Sequence, residues 1–226
     1  HIDTPMQMQA FKQLDKRVDK VVSNLLYNRD FSKLATLAGY AKDLSLGYEV
    51  MVNEFCATGS YNNDVPVGTH CIFRDSCYNC HAENETVEHA KLLNNYPMGD
   101  CMSSRAHDIA DWLRSPFIRP EDTHFYENIG IQHFKVTGRT AKTPYILHIA
   151  EAYLSGKFDG NMLQLWKPLE TIYSDKDELS GHKHKHNIPN AQLEGFISPF
   201  VKGEINCNNT TCEECFWCDE VASGLE

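Results

Sequence analysis

The chain has 226 residues, 42% of them hydrophobic and 11% aromatic, with a formal net charge of −10 from 31 acidic and 21 basic residues. That apolar content suits one substantial core, or one large and one small lobe, and excludes a disordered chain. The acidic balance argues against a nucleic-acid partner, because phosphate binding needs clustered Lys and Arg.

In chain order, the first signal is a stripe of Phe11, Leu14, Val18, Val21 and Leu25, spaced three, four, three, four. Leu34, Leu37, Ala41, Leu44, Tyr48, Met51 and Phe55 repeat the rhythm. Both patterns predict amphipathic helices. The phase breaks around Asn28-Arg29-Asp30, which predicts either a hairpin of two helices, with Asp30 or Ser32 capping the second, or one long helix that changes face. Residues 57–74 hold Gly59, Asn62-Asn63-Asp64, Pro66 and Gly68, the composition of a loop. Short helices are expected at Val87–Leu93 and from Met102 to Leu113, the latter stopped before Pro116. Alternation at Ile129, Ile131, Phe134 and Val136 suggests a small strand pair or hairpin. Thr143-Pro144 opens a helix with Ile146, Ile149 and Tyr153 inward. Leu165, Trp166, Leu169, Ile172 and Tyr173 suggest another helix, bent at Pro168. Ser174–Pro189 reads as a polar loop, and Leu193, Phe196, Ile197 and Phe200 as a last short helix.

The expected fold is therefore mainly α: a helical bundle with an amino-terminal helix pair, long loops and a small β-hairpin. It forms one domain over residues 1–226, with a cysteine-rich tail, 203–226, packed on or pinned to it. No apolar run approaches the ~18–20 residues of a membrane span.

The nine cysteines fall into two groups: Cys56, Cys71, Cys77, Cys80 and Cys101, then Cys207, Cys212, Cys215 and Cys218. Such clustering points to metal, haem or local disulfides rather than scattered buried thiols. In Cys77-Tyr78-Asn79-Cys80-His81, two thiols three positions apart suit the two vinyl groups of a haem, and the next imidazole suits its iron. At these five residues the chain resembles c-type haem proteins. With helices ahead of the motif, it also resembles extracytoplasmic haem-containing sensor domains. The resemblance implies thioether bonds from Cys77 and Cys80 to haem c and axial ligation by His81. Met98 or Met102 would serve as the opposite axial ligand, or one of His89, His107, His124, His133 and His148 would. A disulfide or thiol role and a zinc site are the alternatives for the same residues.

The tail spacing, Cys207-x4-Cys212-x2-Cys215-x2-Cys218, matches the opening of a bacterial ferredoxin run in its last three cysteines. It lacks the closing Cys-Pro, since position 222 is Ala222. Cys207 would complete an iron–sulfur or zinc site from the other side, and disulfides pinning a terminal loop are the plainer reading. His182-Lys183-His184-Lys185-His186 has alternate imidazoles that suit a divalent metal, but its lysines repel one, so a solvated loop is the simpler reading. Asn84-Glu85-Thr86 and the overlapping pair at Asn208 and Asn209 fit the N-glycosylation pattern.

Catalytic signatures are absent: there is no Gly-x-Ser-x-Gly elbow, phosphate-binding Gly-rich loop or His-Glu-x-x-His pair. The functional expectation is thus an extracytoplasmic covalent-haem protein, a redox or ligand sensor or electron carrier. A secreted disulfide-stabilised binding module and a zinc or iron–sulfur protein are the alternatives. Its expected partner is a small ligand or a redox protein, and its amino-terminal helices offer a homodimer face.

Overall fold

The structure, a computed structural model, describes residues 2–54, 108–138, 143–166 and 186–225. It is a mixed α/β fold, which corrects the expected helical bundle. Three short strands, β1 (Lys20–Val22), β2 (Gly47–Met51) and β3 (His133–Lys135), form a parallel sheet in that order. Val21 lies opposite Tyr48, and Val50 opposite Phe134.

Eight α-helices surround the sheet among the described residues: α1 (Pro5–Leu14), α2 (Phe31–Asp43), α3 (Ile109–Leu113), α4 (Thr123–Glu127), α5 (Thr143–Ser155), α6 (Ser198–Val201), α7 (Cys212–Cys215) and α8 (Trp217–Ser223). No described helix is long and apolar enough to cross a membrane.

The predicted amino-terminal helix pair does not form. The first stripe is cut after Leu14, where Asp15 takes an extended conformation and ends α1. Leu14 is 82% exposed, so it belongs to no buried face. Lys20-Val21-Val22 goes instead into β1, where β-branched residues suit a pleated surface. The second stripe is right for Leu34, Leu37 and Ala41, all buried on α2. It then crosses a chain reversal at Ser45, which takes a positive φ of 54°, and its last members, Tyr48 and Met51, are strand residues. Asp30 caps α2 as expected, accepting a hydrogen bond from the Lys33 amide at 2.9 Å.

Gly47 shows why the chain pairs tightly here. A Cβ at this position would lie 2.7 Å from Nε2 of His133 and 3.3 Å from Cγ of Lys20, so the central strand starts where its neighbours leave no room for a side chain. The expected hairpin near Ile129–Val136 is also corrected. Gly130, with φ 95°, makes a turn, Ile131 is buried, and a single strand, β3, pairs in parallel with β2.

α5 forms as predicted, with Ile149 buried; Tyr153 donates its hydroxyl to the Ile118 carbonyl at 2.7 Å. Met162–Leu165 forms a 3-10 turn; Leu169, Ile172 and Tyr173 of the helix expected there lie outside the described residues. Leu193, Phe196, Ile197 and Phe200 are all buried, but Leu193 ends a 3-10 turn (Asn190–Leu193), Phe196 and Ile197 lie in the turn that follows, and Phe200 is on the single turn of α6. The predicted Val87–Leu93 helix and the 57–74 loop lie outside the described residues.

The core is contiguous and aromatic. Trp112 stacks on Trp166 with ring centres 5.7 Å apart, and Phe117 packs against both Trp166 at 4.9 Å and Phe196 at 5.7 Å. Such pairs contribute about 0.5–1.5 kcal/mol each beyond the area they bury.

Candidate functional site

In open parallel sheets, ligands collect beyond the carboxyl ends of the strands, where the chain leaves the sheet in loops. Here two buried asparagines organise that edge. The Asn28 amide donates to the carbonyls of Met51, at the end of β2, and Pro116, both at 2.7 Å. The Asn28 backbone carbonyl accepts the Tyr126 hydroxyl at 2.6 Å. Asn53, two residues past β2, accepts from the Thr137 amide at 2.7 Å and donates to the carbonyls of Thr137 and Leu165 at 3.1 and 3.2 Å. These contacts clasp the ends of β2 and β3 to the Met162–Leu165 turn. The neighbouring Glu54 is a buried carboxylate at the same edge.

Next to Asn28, Arg29 is 2% exposed. Its Nη2 donates to the Leu113 carbonyl at 2.6 Å and to that of Ser115. Phe117, Phe196 and Phe200 surround its guanidinium at 5.3, 5.0 and 5.1 Å. Nη1 lies 4.0 Å from Sγ of Cys218, and Nε is buried with no hydrogen-bond partner.

Arg29 lines a small, partly open pocket whose walls include Cys207, Cys212, Cys215 and Cys218. All four are free thiols, so no disulfide pins the tail. Polar contacts hold it instead. Trp217 donates from Nε1 to the Phe196 carbonyl at 3.1 Å, and Arg114 pairs with Asp219 at 2.6 Å. Arg114 also pairs with Asp111, so it sits in a carboxylate network. Between α7 and α8, Phe216 adopts φ 52°, a left-handed conformation uncommon for an aromatic residue. This sharp reversal lets cysteines on either side of it line the same pocket.

Burial pushes the Cys218 thiol up to about 12, against the downward pull of Arg29. Burial raises Cys207 and Cys212 in the same way. Protonated thiols are poor nucleophiles, so burial disfavours Cys207, Cys212 and Cys218 in that role.

A second polar cluster joins the 120–122 turn to residues 158–193. Oε1 of Glu121 accepts from the Phe158 amide at 2.7 Å and from Nδ2 of Asn190 at 2.8 Å. Arg119 donates to Asn190 and to the Leu193 carbonyl. Burial pushes the adjacent Asp122 carboxyl up to about 6, with Arg119 opposing the shift.

Of the residues singled out from the sequence, the structure brings together Cys207, Cys212, Cys215 and Cys218. Cys77, Cys80, His81, Met98 and Met102 lie outside the described residues. So do His89, His107 and His182–Lys185. The described histidines are not gathered at any common point. His124 bonds locally to the Glu121 carbonyl, His133 sits on exposed β3, and His148 meets Phe158 edge-on. Sequence reasoning missed Arg29, Asn28 and Asn53. The one available signal was the broken phase at Asn28-Arg29-Asp30, which marks the site's entry rather than a helix hairpin.

Comparison with known proteins adds one decisive likeness. The chain is 25% identical over 210 residues to an uncharacterized protease of Methanocaldococcus jannaschii. The match covers 92% of this chain and 53% of that protein, so the chain spans about half the length of the relative it matches. No family model matches the chain, and no solved structure does.

This likeness overturns the haem sensor or electron carrier expected from Cys77-x-x-Cys80-His81, together with its disulfide-module and metalloprotein alternatives as accounts of overall function. The metal-ion expectation is corrected as well: among the described residues, no three His, Cys, Asp or Glu side chains converge on a single ion position.

Proposed function

We propose that this chain is part of a protein that hydrolyses peptide bonds, working at the carboxyl edge of the parallel sheet. The observation that carries the reading is the 210-residue likeness to a protein named as a protease, which runs through nearly the whole chain. The placement of polar groups supports it. Asn28, Asn53 and Glu54 cluster where β2 ends, the position at which α/β folds present their reactive groups.

A buried carboxylate at such an edge suits proton transfer to or from a scissile amide, or orientation of a water. Glu54 is therefore the described side chain assigned to this work, with Asn53 fixing the backbone beside it.

The test is peptide turnover by the purified full-length protein on a mixed peptide library, read by mass spectrometry, with Glu54→Gln as the comparison. Cleavage that falls by about 10²–10⁴-fold in the variant, as removal of an acid–base group does, with unchanged circular dichroism, supports the reading. Equal cleavage by both proteins removes Glu54 from it, and no cleavage by either overturns the activity.

A further inference from the structure

We propose that the outer face of α1 is the contact surface for a second copy of this chain, met antiparallel across a two-fold axis near Ala10. This goes beyond the peptidase reading and does not depend on it.

Helix geometry defines the face. Met8 is fully buried and belongs to the core. With 3.6 residues per turn, Ala10 lies about 160° round the axis from Met8, and it is exposed. Met6 and Leu14 stand four residues to either side of Ala10, on one ridge of the helix. They are 78% and 82% exposed, and Phe11 beside them is 48% exposed. Single exposed apolar side chains are ordinary on a protein surface, but three on one short helix make a patch.

Symmetry points to a second copy as the occupant. A two-fold contact must be self-complementary, because the same surface serves on both sides. Reversing α1 about Ala10 carries Met6 onto Leu14 and Gln9 onto Phe11. Each apolar end then meets an apolar end, and the ring of Phe11 meets the aliphatic stem of Gln9. Ala10, a small side chain, falls at the crossing, where the two helices approach most closely.

Charge favours the same arrangement. The chain has a net charge of −10, so two copies repel one another at long range. α1 contains no acidic residue, and its one cation, Lys12, turns back to donate to the Val18 carbonyl at 2.7 Å. The face therefore lets two copies meet without setting like charges together. Past the carboxyl end of α1, Asp15 and Arg17 pair with each other at 2.8 Å, which leaves exposed Lys16 as the net charge of that turn. Asp3 precedes the amino end. Antiparallel docking brings the Lys16 end of one copy to the Asp3 end of the other and opposes the two helix dipoles.

The face is small. A helix of ten residues is about 15 Å long, so one side of it buries less than the roughly 800 Å² per partner of a standard interface. The dimer is accordingly weak, with a dissociation constant of roughly micromolar or above.

The experiment is sedimentation equilibrium of the full chain, from about 1 μM to about 1 mM, the range of such affinities. The mass should rise with concentration from the 25.8 kDa of one chain towards twice that value. Ala10→Glu sets two carboxylates against each other at the axis and should raise the dissociation constant by about tenfold or more. Its circular dichroism should not change, because the position is exposed. Ala10→Lys should weaken association likewise, whereas an equimolar mixture of the two variants should associate again, since opposite charges then meet. Leu14→Ser, at the end of the ridge, is the second probe should a charge variant fold poorly. Leu154→Ser, on the 88% exposed position of α5, should leave association as it is.

A chain that keeps its single-chain mass throughout overturns the proposal and leaves the face to a different partner. So does a dimer that survives both Ala10→Glu and Leu14→Ser, or one that is lost in Leu154→Ser. A mixture of the Glu and Lys variants that stays monomeric overturns it as well.

Discussion

Nη1 of Arg29 lies 4.0 Å from Sγ of Cys218, joining two residues 189 positions apart. The contact connects the edge of the sheet, where Asn28 grips the end of β2, to the last helix of the described chain. The tail is therefore built into the core, with Phe196 and Phe200 packed between it and the centre.

Arg29→Met should destabilise the fold. It leaves the buried carbonyls of Leu113 and Ser115 without their donor and removes the cation from three aromatic faces. Unsatisfied buried acceptors cost about 1–3 kcal/mol each, so a loss of roughly 2–4 kcal/mol is expected in urea unfolding. Arg29→Lys should recover part of it, because an ammonium can reach one carbonyl but cannot fork to two.

Asn53→Ala should cost a similar amount, about 2–4 kcal/mol, because both ends of its amide are used. The loss should concentrate at the strand ends. Hydrogen exchange should quicken at the amide of Thr137, which bonds to the Asn53 side chain, and at Val52, whose amide bonds to Lys135. Unchanged exchange at both would show that the clasp is not holding β2 to β3.

These two residues show where sequence reading stopped. The apolar faces of α2 and α5 were legible, because their buried residues repeat at helical spacing and lie close together in the chain. The parallel sheet was not. Lys20-Val21-Val22 and Gly47–Met51 are short, and their partners come from sequence-distant segments. Val21 and Tyr48 also fell by accident on a helical rhythm. The tail cysteines were legible as a group from spacing alone. Arg29, which gives that group its electrostatic meaning, was not, because nothing local distinguishes a buried arginine from a surface one.

Asp122 should make stability depend on pH. Burial raises its carboxyl from the usual 3.8 to about 6 in the folded protein. Folding therefore favours the protonated form. The cost of holding the carboxylate is absent below about pH 4 and complete above about pH 6, so this residue's contribution falls as pH rises through that window. The whole step is of the order of 3 kcal/mol. Asp122→Asn removes the titration. The stability difference between variant and parent should move in the variant's favour as pH rises from 4 to 7 and level off above. A difference that is flat across the window would contradict the assignment.

The most direct test of the functional account is peptide hydrolysis by the full-length protein in heavy-oxygen water. The account predicts shortened peptides whose new carboxyl termini each carry one heavy oxygen, in amounts that grow with enzyme concentration and time. Peptides that stay intact, or fragments without the label, would contradict it.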